Sequence, residues 1–377
     1  MKIVYIIPSL EVKGGAERII VEKAKFLSEH FGYDVSIITL CHHHNAPIVY
    51  PLSEKIHHVN LGIPYYAQYK YRYPKRYWIK RKINRRLRKE ATAAVTQINP
   101  DILICIFKPN LTFPIPCRAR KILEIHEPLE YLLYSNLYKS SWINKILKIH
   151  SFNTIIKYAD IVVSLTEDEK LYLKKAKRVE VIPNFSSMEI SQHSVCNTKR
   201  VIAVGRLTSV KGYERLINIW SIVNAKQPDW NLDIFGEGCL KNELMNYIIN
   251  HNIKNITFHG VTHDISREYA NSSICTVTSY YEGFSLVILE AMMHGVPCVA
   301  FDCPNGPRNI IKNNQCGFLI ENGNNYQFAE KLCKLIENQQ LRKQFSNAAI
   351  ERSKLYSIDI IMNQWKTLFE SLCQNNQ

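Results

Sequence analysis

Apolar residues in this chain fall into two series of short runs. The first occupies residues 3–7, 35–40, 102–107, 121–125 and 161–165, with helical spacing between the runs. Short apolar runs alternating with amphipathic helical stretches predict β-α-β units and a parallel sheet covered on both faces. The second series occupies 200–204, 232–235, 256–259, 274–278, 298–301 and 317–320. The polar interval 186–199 reads as a linker, and Pro183 just before it favours an extended or turn backbone. Two doubly wound α/β domains follow, residues 1–186 and 199–358. Over 359–377 a helical pattern sets Met362, Trp365, Leu368, Phe369 and Leu372 on one face, which needs a partner surface; it is expected to pack back on the first domain. Open α/β sheets bind ligands beyond the carboxyl ends of their strands. The two domains are therefore expected to face each other across a cleft, and residues that follow strands are the ones to read for chemistry.

Length supports the division, since 377 residues exceed the roughly 250–300 that one core fills. No run approaches the roughly 18 apolar residues of a membrane span, and the N-terminal apolar run is short for a signal peptide. Eleven cysteines without a C-x-x-C pair read as reduced thiols, which points to a cytosolic protein. A net charge of +15 implies an anionic partner. Basic density peaks between Lys70 and Lys89, where Tyr65, Tyr66, Tyr69, Tyr71, Tyr73, Tyr77 and Trp78 interleave with cations. That mixture suits an anionic membrane interface at the inner leaflet. It also suits single-stranded nucleic acid, a reading set aside in favour of the membrane. A solvated basic helix is the plain alternative.

Four places could carry chemistry. After the first strand, Gly14 and Gly15 open a helix whose free N–H groups could face an anion; the pattern is not the dinucleotide G-x-G-x-x-G. At the start of the second domain, Gly205-Arg206-Leu207 and Lys211-Gly212 place two cations at a strand end, where they could bracket a diphosphate. After the run 274–278 comes Tyr281-Glu282-Gly283-Phe284-Ser285-Leu286-Val287-Ile288-Leu289-Glu290. There Gly283 permits a tight turn, Ser285 can cap the next helix, and Glu290 is an acid in an apolar run that needs a partner. His126 follows a first-domain strand. Two other features carry less. His42-His43-His44 lacks the surrounding ligands of a metal site, so no metal is expected. Thr166 and Glu169 have the spacing of a helix capping box.

Taken together, the Gly-Gly loop with Glu17-Arg18, the Gly205-Arg206-Leu207 and Lys211-Gly212 pair, and Glu282 with Glu290 resemble the family-four retaining glycosyltransferases of the GT-B fold, in the right order over nearly the whole chain. The resemblance implies that Glu290 holds the ribose hydroxyls of a nucleotide-sugar donor and that Arg206 and Lys211 neutralise its diphosphate. It assigns phosphate oxygens to the backbone N–H groups of Ser285, Leu286 and Val287. It assigns hydroxyls of the transferred sugar to Glu282, Gly283 and Phe284, with His126 approaching that sugar from the first domain. The chain departs from the family where Asn309 replaces an acid. Its Pro304-Asn305-Gly306-Pro307 segment looks like members using UDP-hexoses or UDP-N-acetylhexosamines, which makes a UDP-sugar the expected donor. The implied function is metal-independent hexosyl transfer to a glycan or lipid-linked glycan in lipopolysaccharide, capsule or exopolysaccharide assembly, with the donor as substrate and no cofactor. No D-x-D occurs in the chain. A nucleotide-sugar epimerase or hydrolase of the same fold, and a non-catalytic membrane-binding protein retaining it, are the rival readings.

Overall fold

The computed structural model describes residues 1–134 and 142–374. It divides into two units, one of Met1–Ile182 with Ile361–Gln377 and one of Pro183–Ile360. Residues 375–377 of the terminal helical stretch lie outside the described residues.

The first unit runs β1 (Lys2–Ile7), α1 (Gly15–Glu29), β2 (Asp34–Thr39), β3 (Ile56–Asn60), α2 (Lys75–Ile98), β4 (Ile102–Ile106), β5 (Arg120–Ile125), α3 (Leu129–Tyr134), α4 (Trp142–Tyr158), β6 (Ile161–Ser164) and β7 (Val179–Val181). Its seven strands are all parallel, in the order β3-β2-β1-β4-β5-β6-β7. Strands β3 and β7 were not expected. Both are edge strands: β3 reads Ile-His-His-Val-Asn and β7 has three half-buried residues, so neither forms a continuous apolar run. An edge strand is covered on fewer sides and needs no such run.

The second unit runs β8 (Arg200–Val204), α5 (Tyr213–Lys226), β9 (Asn231–Phe235), α6 (Lys241–Asn250), β10 (Ile256–Gly260), α7 (Ile265–Ala270), β11 (Ile274–Val277), α8 (Leu286–Met293), β12 (Cys298–Asp302), α9 (Pro307–Ile310), β13 (Gly317–Glu321), α10 (Asn325–Glu337) and α11 (Gln339–Ser353). Its six strands are also parallel, in the order β10-β9-β8-β11-β12-β13. The core packs Trp220, Ile217 and Leu216 of α5 with Phe328 and Leu332 of α10 and with Leu232, Val299 and Phe301 of the sheet. In both units the strand order reverses beside the first strand, and sequence-adjacent loops there diverge to opposite faces, leaving a crevice at the carboxyl edge.

The interval 186–199 is no loose linker. Ser194 donates its backbone N–H to the His294 carbonyl at 2.7 Å and its hydroxyl to Ser272 O at 2.5 Å, while Arg342 donates to Cys196 O at 3.0 Å. Its polar side chains find backbone partners inside the second unit, which composition alone does not show.

A final helix, α12 (Ile358–Gln374), begins in the second unit and from Ile361 belongs to the first. It buries Ile361, Met362, Trp365, Leu368, Phe369 and Leu372, the face with helical spacing in the sequence. Phe369 is fully buried. Replacing a buried phenylalanine by alanine costs about 3–5 kcal/mol. Phe369→Ala is therefore expected to lower the urea midpoint of the first unit, read by fluorescence and limited proteolysis, while the second unit unfolds as in the parent.

Candidate functional site

The second unit builds its site at the carboxyl end of β11. Arg215, one turn into α5, is buried and donates to Thr278 O at 2.5 Å, to Ser279 O, and to the Asn322 side chain at 2.9 Å. Its guanidinium also lies 4.1 Å from the ring centres of Tyr280 and Phe301. The fork geometry of arginine lets one side chain satisfy two successive carbonyls that leave the sheet. Gly212 makes the approach possible: its φ is +62°, and a Cβ there would stand 2.2 Å from Thr278 O. Thr278 completes the tie by donating to the carbonyls of Lys211 and Gly212 at 3.2 and 3.0 Å. The two loops after β8 and β11 are thus bound together at the point where the strand order reverses.

On this platform Lys211 Nζ sits 2.7 Å from Glu282 Oε1, which also accepts the Ser279 hydroxyl at 2.6 Å. A small cavity beneath them is lined by Val204, Lys211, Tyr213, Thr278, Glu282 and Val287. Gly306 packs against the other side of Glu282, and a Cβ there would lie 2.5 Å from the Glu282 Cβ. Burial and the Glu282 carboxylate push the Cys303 thiol up to about 12, so this neighbouring cysteine stays protonated and inert. Arg206 is exposed and takes part in no ion pair among the described residues. Gly205 next to it has φ +151° and accepts the Tyr213 hydroxyl at 3.2 Å.

Helix α8 follows, with Phe284 buried and Gly283 half-buried before it. Ser285 occupies the N-cap position, but its side chain makes no capping hydrogen bond, contrary to the sequence expectation. Its ψ of 93° falls short of the fully extended backbone usual at a cap. The first N–H groups of any helix lack intrahelical acceptors, and α8 has no acid in its first turn. Glu290 lies inside the same helix, 5% exposed, and accepts the Tyr269 hydroxyl at 3.4 Å.

In the first unit the helix that follows the first strand, α1, has a different start from α8. There Gly14 is the N-cap of α1 and Gly15 its first residue, and Glu17 lies in the first turn. A Glu17 carboxylate oxygen stands 2.0 Å from where a Gly14 Cβ would be. The chain's own anion is therefore beside the positive end of α1, whereas α8 carries none.

His126 follows β5. Its ring is buried, and Nε2 donates to Glu124 Oε2 at 3.0 Å. Glu124 in turn binds Lys23 Nζ at 2.6 Å through both oxygens, and Lys23 lies 3.8 Å from the Trp365 ring centre. Burial alone would raise the Glu124 carboxyl, but the Lys23 ammonium and the His126 hydrogen bond more than offset it and hold it below the usual range. In the neutral ring a carboxylate on Nε2 holds the proton there and leaves the lone pair on Nδ1. That Nδ1 is buried without a hydrogen-bond partner among the described residues. Lys23, Glu124 and Arg215 were not singled out from sequence, and Trp365 was read only as part of the apolar face of the last helix. A lysine at a helix position with apolar neighbours and an acid inside an apolar strand were the available signals.

Nor does the capping box form. Thr166 makes no side-chain cap, and its hydroxyl is buried without a partner. Glu169 instead accepts the backbone N–H of Leu129 at 3.2 Å, across to the start of α3. A short 3-10 turn over Glu167–Tyr172 aims the carboxylate away from its own N-terminus. Among the described residues no group of three or more His, Cys, Asp or Glu could hold a metal; His42 and His43 bond to Ser9 and Glu11 instead.

Two measurements check this geometry. Burial raises the Glu169 carboxyl from 4.5 to about 7, against the Leu129 N–H, which lowers it, and with Asp168 and Glu130 adding to the rise. A raised folded value means stability that is present below the unfolded value and lost as pH climbs through about 7. Glu169→Gln should remove that loss, making the variant about 2–3 kcal/mol more stable than the parent at pH 8 and equal to it near pH 4 in urea titrations. Arg215→Met should destabilise the second unit by about 3 kcal/mol, because it leaves two buried carbonyls without donors.

Comparison with known proteins adds the family. The description Glycosyltransferase Family 4 matches residues 13–189, and Glycosyl transferases group 1 matches residues 189–352. An uncharacterized glycosyltransferase of Haemophilus influenzae is 30% identical over 372 residues, which is 97% of this chain and 99% of that one. In Campylobacter jejuni, an alpha-1,4-N-acetyl-D-galactosaminyltransferase whose name carries a PP-undecaprenol-linked glycan is 27% identical over 98% of both chains. Staphylococcus aureus TarM, solved with fondaparinux, alpha-GlcNAc-glycerol and UDP, superposes with a TM-score of 0.78 at 19% identity, covering 98% of this chain and 99% of its own. With two parallel-sheet Rossmann-like units of the GT-B type and full-length relatives among bacterial glycosyltransferases, the chain belongs to the family-four, group 1 glycosyltransferases.

Proposed function

We propose that the protein transfers a hexose or N-acetylhexosamine from a UDP-sugar to a lipid-linked or polymeric glycan acceptor, with retention of anomeric configuration, in bacterial lipopolysaccharide, capsule or exopolysaccharide assembly. The observation that carries this reading is the cluster at the end of β11. Lys211 pairs with Glu282 there, Arg215 ties the chain at Thr278 and Ser279 just before them, and the start of α8 has no acid of its own. A diphosphate is the anion that fits two cations and a helix N-terminus. TarM, which binds UDP, and the relative named for a PP-undecaprenol-linked glycan support the donor and acceptor classes.

In this reading Glu290 takes the ribose hydroxyls. The N–H groups of Ser285, Leu286 and Val287 bind phosphate oxygens, and Arg206 and Lys211 balance the charge of the departing UDP, a role that needs no metal. The diphosphate competes with Glu282 for Lys211, and Glu282 then turns its free acceptor capacity to sugar hydroxyls beside the N–H groups of Gly283 and Phe284. His126 offers Nδ1 as an acceptor for a sugar hydroxyl. As the bond from C1 to the diphosphate oxygen breaks, the acceptor hydroxyl bonds to C1 on the same face. Its proton passes to a phosphate oxygen of the leaving group, so no separate general base is required. Stabilising charge that develops on the leaving group is the main contribution of such a site. A lipid-linked acceptor sets this work at the cytoplasmic face of a membrane.

Calorimetry with UDP and GDP in EDTA tests the donor assignment. UDP should bind the parent without metal, and Glu290→Ala should weaken it by roughly 10- to 100-fold, the worth of one or two hydrogen bonds to a charged group. Unchanged UDP affinity in a folded Glu290→Ala variant would remove the ribose role. Lys211→Met should slow transfer by about 100-fold or more, with UDP affinity reduced less. The anomeric configuration of the first product, read by NMR, decides between retention and inversion.

A further inference from the structure

The segment from Tyr65 to Lys89 contains eleven lysines and arginines and no aspartate or glutamate, against a net charge of +15 for the whole chain. A charge run of this kind is ordinarily a solvated helix face. Here the aromatic residues change that reading. Tyr66, Tyr69, Tyr71, Tyr73, Tyr77 and Trp78 are all exposed, Tyr73 at 74% and Trp78 at 63%. Six large rings in one stretch of surface are far more than scattered exposure produces.

The geometry separates two faces. Along α2 the buried residues are Leu87, Ala91 and Val95, which pack on the core beneath the sheet with Ile83. Trp78, Arg81, Lys82, Arg85, Arg88 and Lys89 are exposed, recurring at helical spacing along the outer side. Among the described residues Arg81, Lys82 and Arg85 enter no ion pair, so their charge is open to an external partner. The position in the fold is also informative. All seven strands are parallel, so β3, which leads into this segment, and β5, which leads to His126, end at the same edge of the sheet. The aromatic, N-terminal end of α2 is therefore at the edge that carries His126.

We propose that this surface, from Tyr66 to Lys89, docks the first unit on an anionic lipid bilayer, with Tyr73, Tyr77 and Trp78 at headgroup level and the cations of α2 over the lipid charge. The proposal deepens the lipid-linked acceptor reading and rests on it for its purpose. Aromatic rings at the interface and basic side chains behind them match the two attractions a bilayer offers. Single-stranded nucleic acid fits less well, because it stacks bases on open ring faces. Here the Arg76 guanidinium lies 4.4 Å from the Tyr69 ring centre and the Lys75 ammonium 4.9 Å from that of Tyr71, so two faces are already covered.

The test uses the full chain and sedimentation with vesicles of phosphatidylcholine alone or with phosphatidylglycerol. Binding should require the anionic lipid and weaken as salt rises from about 0.1 to about 0.5 M. Each neutralised cation is worth about fivefold in partition, so the triple change Arg81→Gln, Lys82→Gln, Arg85→Gln should cost on the order of a hundredfold. All three residues are exposed, and an unchanged urea midpoint of the first unit confirms that the variant is folded. Brominated lipid should quench parent fluorescence more than that of Trp78→Phe, since Trp78 is 63% exposed, Trp220, Trp230 and Trp365 are buried, and Trp142 is common to both proteins. Undiminished sedimentation of the triple variant, or tighter binding to single-stranded RNA with no Trp78 quenching, overturns the proposal. If the parent binds vesicles in this pattern but not UDP, the donor assignment fails while the docking surface stands.

Discussion

Charge inside a packed α/β layer has to be matched at its own position, and each unit of this protein carries such a match beside the loops that follow its strands. In the second unit one such buried charge is Arg215, spread over two carbonyls and one side-chain amide. In the first it is the Lys23–Glu124 pair, closed by His126 and by the Trp365 ring. Removing one partner of a buried pair costs about 3–5 kcal/mol, yet replacing both by apolar residues is often neutral. Neither network is therefore explained by stability alone. Each does fix something: Arg215 sets the course of the chain from Thr278 to Tyr280, and Glu124 sets the ring and the proton of His126.

The same parallel-sheet architecture gives the units different electrostatics. Both place a helix start beside the first strand's crevice, where the backbone dipole favours an anion. At α1 the chain supplies that anion itself, through Glu17 against Gly14. At α8 the first turn has no acid, and Lys211 adds a cation nearby. The chain thus has one helix start beside its own carboxylate and one without an acid, and the two follow strands at different places in their sheets, β1 in the first unit and β11 in the second.

Pairing also separates the basic groups by use. Lys211 is engaged with Glu282 and is only partly exposed, so its charge is local and directional. The cations of α2 point outward with no acidic neighbour before Glu90, so their fields add along the helix. A net charge read from composition merges these two populations, although their fields differ: the first is directed at one carboxylate at short range, and the second extends outward over about a Debye length.

Largely apolar runs made the buried strands of both sheets visible from residue order, because a strand covered on both faces has few polar positions. Helix α12 was equally plain, since its apolar face returns every three or four residues. Gly205, Arg206, Lys211 and Glu282 could be named as candidates because residues after strands are where an open sheet leaves its crevice, and Glu290 because it is an acid in an apolar run. The edge strands β3 and β7 could not be seen, as half-buried backbone pairing imposes no apolar pattern. Long-range partners were equally hidden. Thr166 and Glu169 have capping-box spacing, but the carboxylate reaches Leu129, forty residues away in sequence, because the turn it sits in points elsewhere. Lys23, Glu124 and His126 come from α1, β5 and the loop after it, and only the crossing of those elements brings an ammonium, a carboxylate and an imidazole within 3.0 Å of one another in succession. Local periodicity determines which elements form and which face is buried; which charged side chains meet is decided by the packing of elements distant in sequence, where desolvation makes an unmatched group too costly to keep.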